Sequence, residues 1–393
     1  MNFIIREPLL DASQQVLGHE LAWQTARNGD LPSDEDLLEL TSFIASQLNH
    51  DEHGWLLKDS LLFIEATPAV IAAPVIQELS PKNIVFRLTA TDLAEEATCK
   101  SATALRQQGF GIALRDAEDL PPDSPLRSLV SHVEGRYPAA LQARPAQGGP
   151  KLVLRQVGDW QAYDACAAAG VDAFIGKLYL TPRAATGKKD LNPAQLTILQ
   201  LMDMVRKNAD VRALEDVLKR DATLSYKLFR YINSVGFGLG AEIQSLRHAV
   251  TMLGYTPLYR WLSLLLATAS TQAHSAVLMQ TAVVRGRFTE LAGHGILPKN
   301  EAENLFVVGM FSLLDRLLGI PMEEVLEKVQ LSDAISQALL TREGVYGPFL
   351  ALAEALEPDN GDVEALADAL FLNPRQVNEA HLAALAWAGS IKL

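Results

Sequence analysis

The chain has 393 residues, 47 acidic against 34 basic side chains, a formal net charge of −13, and 49% hydrophobic against 21% charged residues. Those proportions describe an ordinary globular chain of two or three domains with sizeable cores and exclude a disordered one. The acidity excludes broad nucleic-acid binding, which needs a cationic face against phosphates.

From residue 1 to about 182 short apolar runs alternate with amphipathic stretches. Strands are expected at 3–5, 16–23, 61–66, 84–88, 111–114, 130–134, 152–155 and 173–176, with helices at 34–48 and 93–108 among them. Alternating β and α implies a parallel sheet or barrel. Between Val133 and Leu152 the chain has Pro138, Pro145, Gly148, Gly149 and Pro150, a poor helix by any propensity. A parallel crossover needs a dozen or more residues and usually a helix. One crossover is therefore expected to be a loop, leaving an incomplete, trimmed barrel with an exposed edge for a partner. Cys99 and Cys166 form no disulfide framework and read as reduced core thiols of a cytoplasmic protein. Trp160, Tyr163 and Cys166 share helical spacing and read as packing. His50-Asp51-Glu52-His53, beside Gly54, reads as a solvated loop rather than a metal cluster. The start, MNFIIREPLL, lacks the basic segment and apolar stretch of a signal peptide.

Residues 183–191 are polar, contain Gly187, Lys188 and Lys189, and mark the expected linker. Beyond them every periodic stretch is helical. Pro193 opens a helix through Leu196, Leu199 and Met204, and a short helix follows at 211–218. Asp221 reads as an N-cap for a helix with Leu224, Leu228 and Ile232 on one stripe, stopping at Gly236. That stripe leaves Ser225, Lys227 and Arg230 for solvent or a partner. Ser245 starts the next helix, which Gly254 closes, and Pro257 sits in the first turn of the one after. Further helices are expected at 274–293, 301–318, 322–329, 333–340, 349–356, 363–371 and 374–388. The run 261–269 falls short of the ~20 residues that span a bilayer. His248, His274, His294 and His381 have no following Asp and no ligand partner at useful spacing, so they read as structural.

The order of residues says more than periodicity does. The stretch RDATLSYKLFRYINSVGFG, then IQSLRHAVTMLGYTPLYRWLSLL, with Asn233 and Ser234 as its Asn-Ser pair, resembles the signature of HDOD domains, the helical modules of bacterial signalling proteins. In the first half GHELAWQ (18–24), FIEATPAVI (63–71), GFGIALRDAEDL (109–120) and GVDAFIGKLYLTP (170–182) occur in the order seen in EAL domains, barrel phosphodiesterases that hydrolyse cyclic di-GMP. The resemblance implies a TIM-like EAL barrel over 1–182 and an all-helical HDOD domain over 192–393, in an α/β plus all-α chain.

An EAL site uses carboxylates and an Asn to hold two divalent cations that activate water. Here only Glu20 keeps a ligand-type residue at the first motif, and the Arg expected after it is Gln24. The Asn falls on Glu65, the next acidic position on Arg87, and the paired aspartates on Arg115 and Asp116. The Lys falls on about His132, the late Glu on Arg155, and the Gln before the last Gly on Ile175. An arginine ~4 Å from a dication at an effective dielectric of ~20 is repelled by about 8 kcal/mol. Glu20, Glu65, Arg87, Arg115, Asp116 and Arg155 are therefore expected to be a vestigial site with no catalytic residue, metal or cofactor. Its arginines either pair with Glu20, Glu65 and Asp116 as a structural network or capture an anion. The expected function is a non-catalytic signalling adaptor. Its partners would be signalling proteins such as a cyclic di-GMP enzyme or response regulator, or a second copy in a homodimer, without nucleic acid or membrane insertion. A metal-independent nucleotide or anion sensor and residual cyclic di-GMP hydrolysis are the alternatives.

Overall fold

The computed structural model describes residues 2–24, 32–48, 60–115, 124–138, 149–183, 191–233, 243, 245–269, 275–329, 331–357 and 361–391. The chain divides into two compact units, Met1–Arg183 with Leu356–Asn360, and Ala184–Ala355 with Gly361–Leu393.

The first unit is an eight-stranded closed barrel: β1 (Ile4–Leu10), β2 (Val16–Trp23), β3 (Leu61–Glu65), β4 (Ile84–Leu88), β5 (Gly111–Leu114), β6 (His132–Arg136), β7 (Lys151–Arg155) and β8 (Ala173–Ile175). Near-continuous apolar runs such as IVFRL and GIAL suit strands buried on both faces. β2 to β8 run parallel in sequence order, while β1 lies antiparallel to both β2 and β8. Pairing of Leu9 with Ile175 and Leu10 with Phe174 closes the ring. The expected incomplete barrel with an open edge is thereby corrected. Closure rests on hydrogen bonds between β1 and β8, strands at opposite ends of the unit.

The crossovers carry α1 (Asp34–Leu48), α2 (Pro68–Ile71), α3 (Ala90–Ala94), α4 (Glu96–Gln108), α5 (Leu126–Leu129) and α6 (Trp160–Ala168), of which α2 and α5 have only four residues. The expected helix at 93–108 is two, because the backbone turns extended at Glu95 between α3, which Thr89 and Asp92 cap, and α4. Residues 139–148 of the β6–β7 crossover, and the His50–His53 cluster, lie outside the described residues. Tyr163 and Cys166 of α6 are buried, with Tyr163 tilted against Phe174 of β8 at 4.2 Å between ring centroids. Gly18 is required in β2, because a Cβ there would collide with the Leu61 carbonyl oxygen of β3.

The regular elements of the second unit are helices: α7 (Pro193–Arg206), α8 (Val211–Leu218), α9 (Ala222–Ile232), α10 (Leu246–Leu253), α11 (Tyr255–Thr268), α12 (Ser275–Gly293) and α13 (Lys299–Phe311). They continue with α14 (Leu314–Leu318), α15 (Met322–Val329), α16 (Asp333–Thr341), α17 (Gly347–Ala355), α18 (Val363–Ala369) and α19 (Pro374–Ser390). Asp221 caps α9 by accepting from the Leu224 N–H at 2.9 Å, and Ser245 caps α10. The α9 stripe is buried as expected, at Leu224, Leu228 and Ile232. The helix stops at Ile232 rather than at Gly236. There the Asn233 side chain turns to Ile243, accepting from its N–H at 2.7 Å and donating to its carbonyl at 2.8 Å. The expected 301–318 helix is likewise broken at Ser312 and Leu313. Gly309 allows α13 to reach α12 closely, since a Cβ would meet the Arg285 carbonyl carbon at 2.5 Å.

Candidate functional site

Strand alternation points every second side chain into the barrel. Leu9, Phe63, Val85, Ala113, Val153, Ala173 and Ile175 fill an apolar layer there. At the ends where the parallel strands finish, the inward positions turn charged: Glu20 on β2, Glu65 closing β3, Arg87 on β4, Arg115 just after β5, Glu134 on β6 and Arg155 closing β7.

Four of these groups form a ring. The Arg87 guanidinium donates through Nη1 to Glu20 at 2.7 Å, and through Nε and Nη2 to Glu134 at 2.9 and 3.0 Å. Arg155 donates through Nε to the same Glu134 at 2.8 Å and through Nη2 to Glu20. Glu7 of β1 stands 3.9 Å from Arg155. Arg115 pairs separately with Glu65. Side-chain exposure is 7% for Arg87, 6% for Glu20, 2% for Glu134 and 19% for Arg155, against 24% for Arg115. The ring is therefore nearly dry, and the Arg115 pair sits at its wetter margin.

Burial of this depth disfavours charge, but each group faces opposite charges that outweigh it. Burial pushes the Glu134 carboxyl up, yet Arg87 and Arg155 bring it down to about 2. Glu20 is also held below its ordinary value, since Arg155 and Arg87 outweigh burial and the repulsion of Glu134. Burial pulls Arg155 and Arg87 down, but the facing carboxylates hold both above the ordinary arginine value. Two guanidiniums and two carboxylates thus remain charged and mutually neutralised. Around them His132 is lowered to about 4, first by burial and then by Lys151, and is neutral at pH 7.

Glu20, Glu65, Arg87, Arg115 and Arg155 are thus all brought to the barrel mouth. Glu20, Arg87 and Arg155 share the ring with Glu134, while Glu65 and Arg115 make the pair at its margin. Asp116 lies outside the described residues. The β6 group that reaches the ring is Glu134, not the residue two positions earlier where a lysine is sought. His132 instead meets the Phe63 ring edge at 5.1 Å and Ser131 at 2.9 Å. Sequence reasoning misses Glu134 and Glu7. The available signal is a lone carboxylate at an inward position of an otherwise buried strand, HVEGR.

The donor set does not fit a divalent cation. The carboxylates that would ligate it are already bridged by guanidiniums, so a dication entering the ring would stand within a few ångströms of two positive charges. Among the described residues no cluster of three or more His, Cys, Asp or Glu is arranged to hold a metal. In the helical unit His381 is buried against Phe288 and His294 is exposed. His274 lies outside the described residues. No described helix is long and apolar enough to cross a membrane.

Comparison with known proteins adds two kinds of likeness. Over 99% of its length the chain is 22% identical to the uncharacterized protein YuxH of Bacillus subtilis, covering 98% of that protein. Over 90% of its length it is 25% identical to the cyclic di-GMP phosphodiesterase CdgJ of Vibrio cholerae, covering 84% of it. Among solved structures, 44% of the chain aligns with 88% of the PaMucR phosphodiesterase in complex with c-di-GMP, at 16% identity and a TM-score of 0.33. An EAL domain protein of Listeria monocytogenes aligns with 44% of the chain at 18% identity, covering 85% of that protein, with a TM-score of 0.34. Residues 191–329 match the HDOD domain family. This stretch, from α7 to α15, is an HDOD domain, carried after a closed eight-stranded barrel.

Proposed function

We propose that this protein is a non-catalytic regulator in cyclic di-GMP signalling, acting in the cytoplasm through protein contacts. The observation that carries this reading is the Arg87–Glu20–Arg155–Glu134 ring across the barrel mouth. A phosphodiesterase of this layout needs free carboxylates for metal and an open floor for substrate. Here guanidiniums occupy the carboxylates, and the buried ring is neutral as it stands. The relation to CdgJ supports the pathway, while the substituted mouth supports the loss of chemistry. Anion capture at the same place is less well supported, because Arg87, Arg115 and Arg155 each already face a carboxylate.

The test is hydrolysis. Full-length protein incubated with cyclic di-GMP and Mg²⁺ or Mn²⁺ is expected to leave the dinucleotide intact by chromatography. Linear product that scales with protein across independent preparations, and disappears in Glu20→Ala, would overturn the reading.

A further inference from the structure

In the helical unit three helix ends meet at one cleft of about 440 Å³. α7 begins there at Pro193 and Ala194 behind its cap Asn192, and α9 begins there behind its cap Asp221. α11 ends there, with Leu265 and Ala269 in the lining. A helix carries partial positive charge and unanswered N–H groups at its start, and partial negative charge at its end. Asn192 accepts from the Gln195 N–H and Asp221 from the Leu224 N–H, so each cap answers one of several such groups.

Two full charges of opposite sign share the cleft with these ends. Asp221 caps α9 through Oδ1, and a carboxylate accepts about four hydrogen bonds in all, which leaves Oδ2 able to accept. Lys227 lies roughly 9 Å further along the helix by its rise. It also lines the cleft and has no hydrogen-bond or ion-pair partner among the described residues. Between the charges the lining is apolar, with Ile198, Leu224 and Leu265 all buried. The volume stands toward the small end of the roughly 300–1,000 Å³ that ligand sites occupy.

A bare anion would meet the Asp221 carboxylate here, and a bare cation would meet Lys227 and two helix starts. A molecule with both charges and an apolar body answers the whole lining. We propose that this cleft binds a small apolar zwitterion, an aliphatic α-amino acid or a dipeptide containing one. Its carboxylate faces Lys227 and the starts of α7 and α9, its ammonium faces Asp221 Oδ2 and the end of α11, and its side chain rests on Ile198, Leu224 and Leu265. The inference goes beyond the reading of the barrel mouth, and either can fail alone.

The probes are free leucine, isoleucine and methionine and the dipeptides leucyl-glycine and glycyl-leucine, titrated into the full chain by isothermal calorimetry. Controls remove one feature at a time: the N-acetyl form of each probe lacks the ammonium, its C-terminal amide lacks the carboxylate, and glycine and diglycine lack the apolar body. At least one probe is expected to bind, and its controls at least about tenfold more weakly, the loss of one charge-assisted hydrogen bond. Asp221→Asn keeps a good cap and should abolish the preference for that probe over its N-acetyl form. Lys227→Met keeps the aliphatic stem and should abolish the preference over the amide. Asp221→Ser, also a good cap, replaces Asp221→Asn if melting shows that the latter fails to fold. Absence of binding by every probe at ~1 mM, the weak end of specific association, would overturn the proposal. So would equal affinity for a probe and its two blocked forms, or a charge variant that keeps the parent's preferences.

Discussion

Removing Glu134 tests the ring at its most connected member. The residue is 1% exposed and its carboxylate accepts from both Arg87 and Arg155. Deleting one partner of a buried pair costs about 3–5 kcal/mol, because the remaining charge is left buried. The pKa gives a second route to the magnitude. A fall from the ordinary 4.5 to about 2 corresponds to about 3 kcal/mol at ~1.4 kcal/mol per unit. The folded-state pKa is depressed, so this stability is fully present above about 4.5 and is lost as pH falls toward 2. Urea unfolding of the full chain, followed by circular dichroism, should therefore show Glu134→Gln less stable at pH 7 by about 3 kcal/mol. Parent and variant should converge as pH falls from 4.5 to about 2. The double variant Arg87→Met with Glu134→Leu keeps the Arg155–Glu20 pair without a stranded cation, and should lose less than Glu134→Leu alone. A Glu134→Gln protein as stable as the parent at pH 7 would refute the buried, mutually dependent ring.

Two further substitutions separate the margins from the cores. Arg115→Ala removes a pair whose side chains are 24% and 14% exposed, so water and salt screen it. A loss of about 1 kcal/mol is expected in the same unfolding assay, smaller at high salt, and a loss equal to that of Glu134→Gln would contradict its peripheral place. Leu228→Ala empties a site 1% exposed in α9 and should cost about 2–5 kcal/mol by thermal melting. An unchanged melting temperature would mean that the α9 stripe is not core.

The strands are legible because parallel barrel strands are buried on both faces and so read as apolar runs, as IVFRL and GIAL do. The charged mouth is legible from Glu20, Glu65, Arg87, Arg115 and Arg155, since each interrupts such a run near its end. Glu134 escapes because strands repeat every two residues. His132 and Glu134 therefore face the same way and differ only in depth along the strand. Barrel closure escapes because no local pattern encodes the pairing of Leu9 with Ile175. The α9 terminus is misplaced because glycine is a strong stop signal, whereas Asn233 stops the helix through a partner ten residues on. Ser225 is expected to face solvent or a partner, yet it is half-buried and its hydroxyl donates to the Leu218 carbonyl at 2.9 Å.

The barrel unit is not contiguous in sequence, for it recruits Leu356–Asn360 from beyond α17. Arg6 of β1 donates its N–H to the Leu356 carbonyl at 3.2 Å and pairs through its guanidinium with Glu357, 351 residues away, both side chains being nearly inaccessible. On the ribosome this has a cost in time. At ~5–20 residues per second, roughly 20–70 s separate the synthesis of Arg6 from that of Glu357. A nascent barrel can pair all eight strands long before then, but its buried Arg6–Glu357 pair waits for the 351 residues that separate the two. Translation halted before Glu357 would release a barrel that has its strands and lacks its final staple.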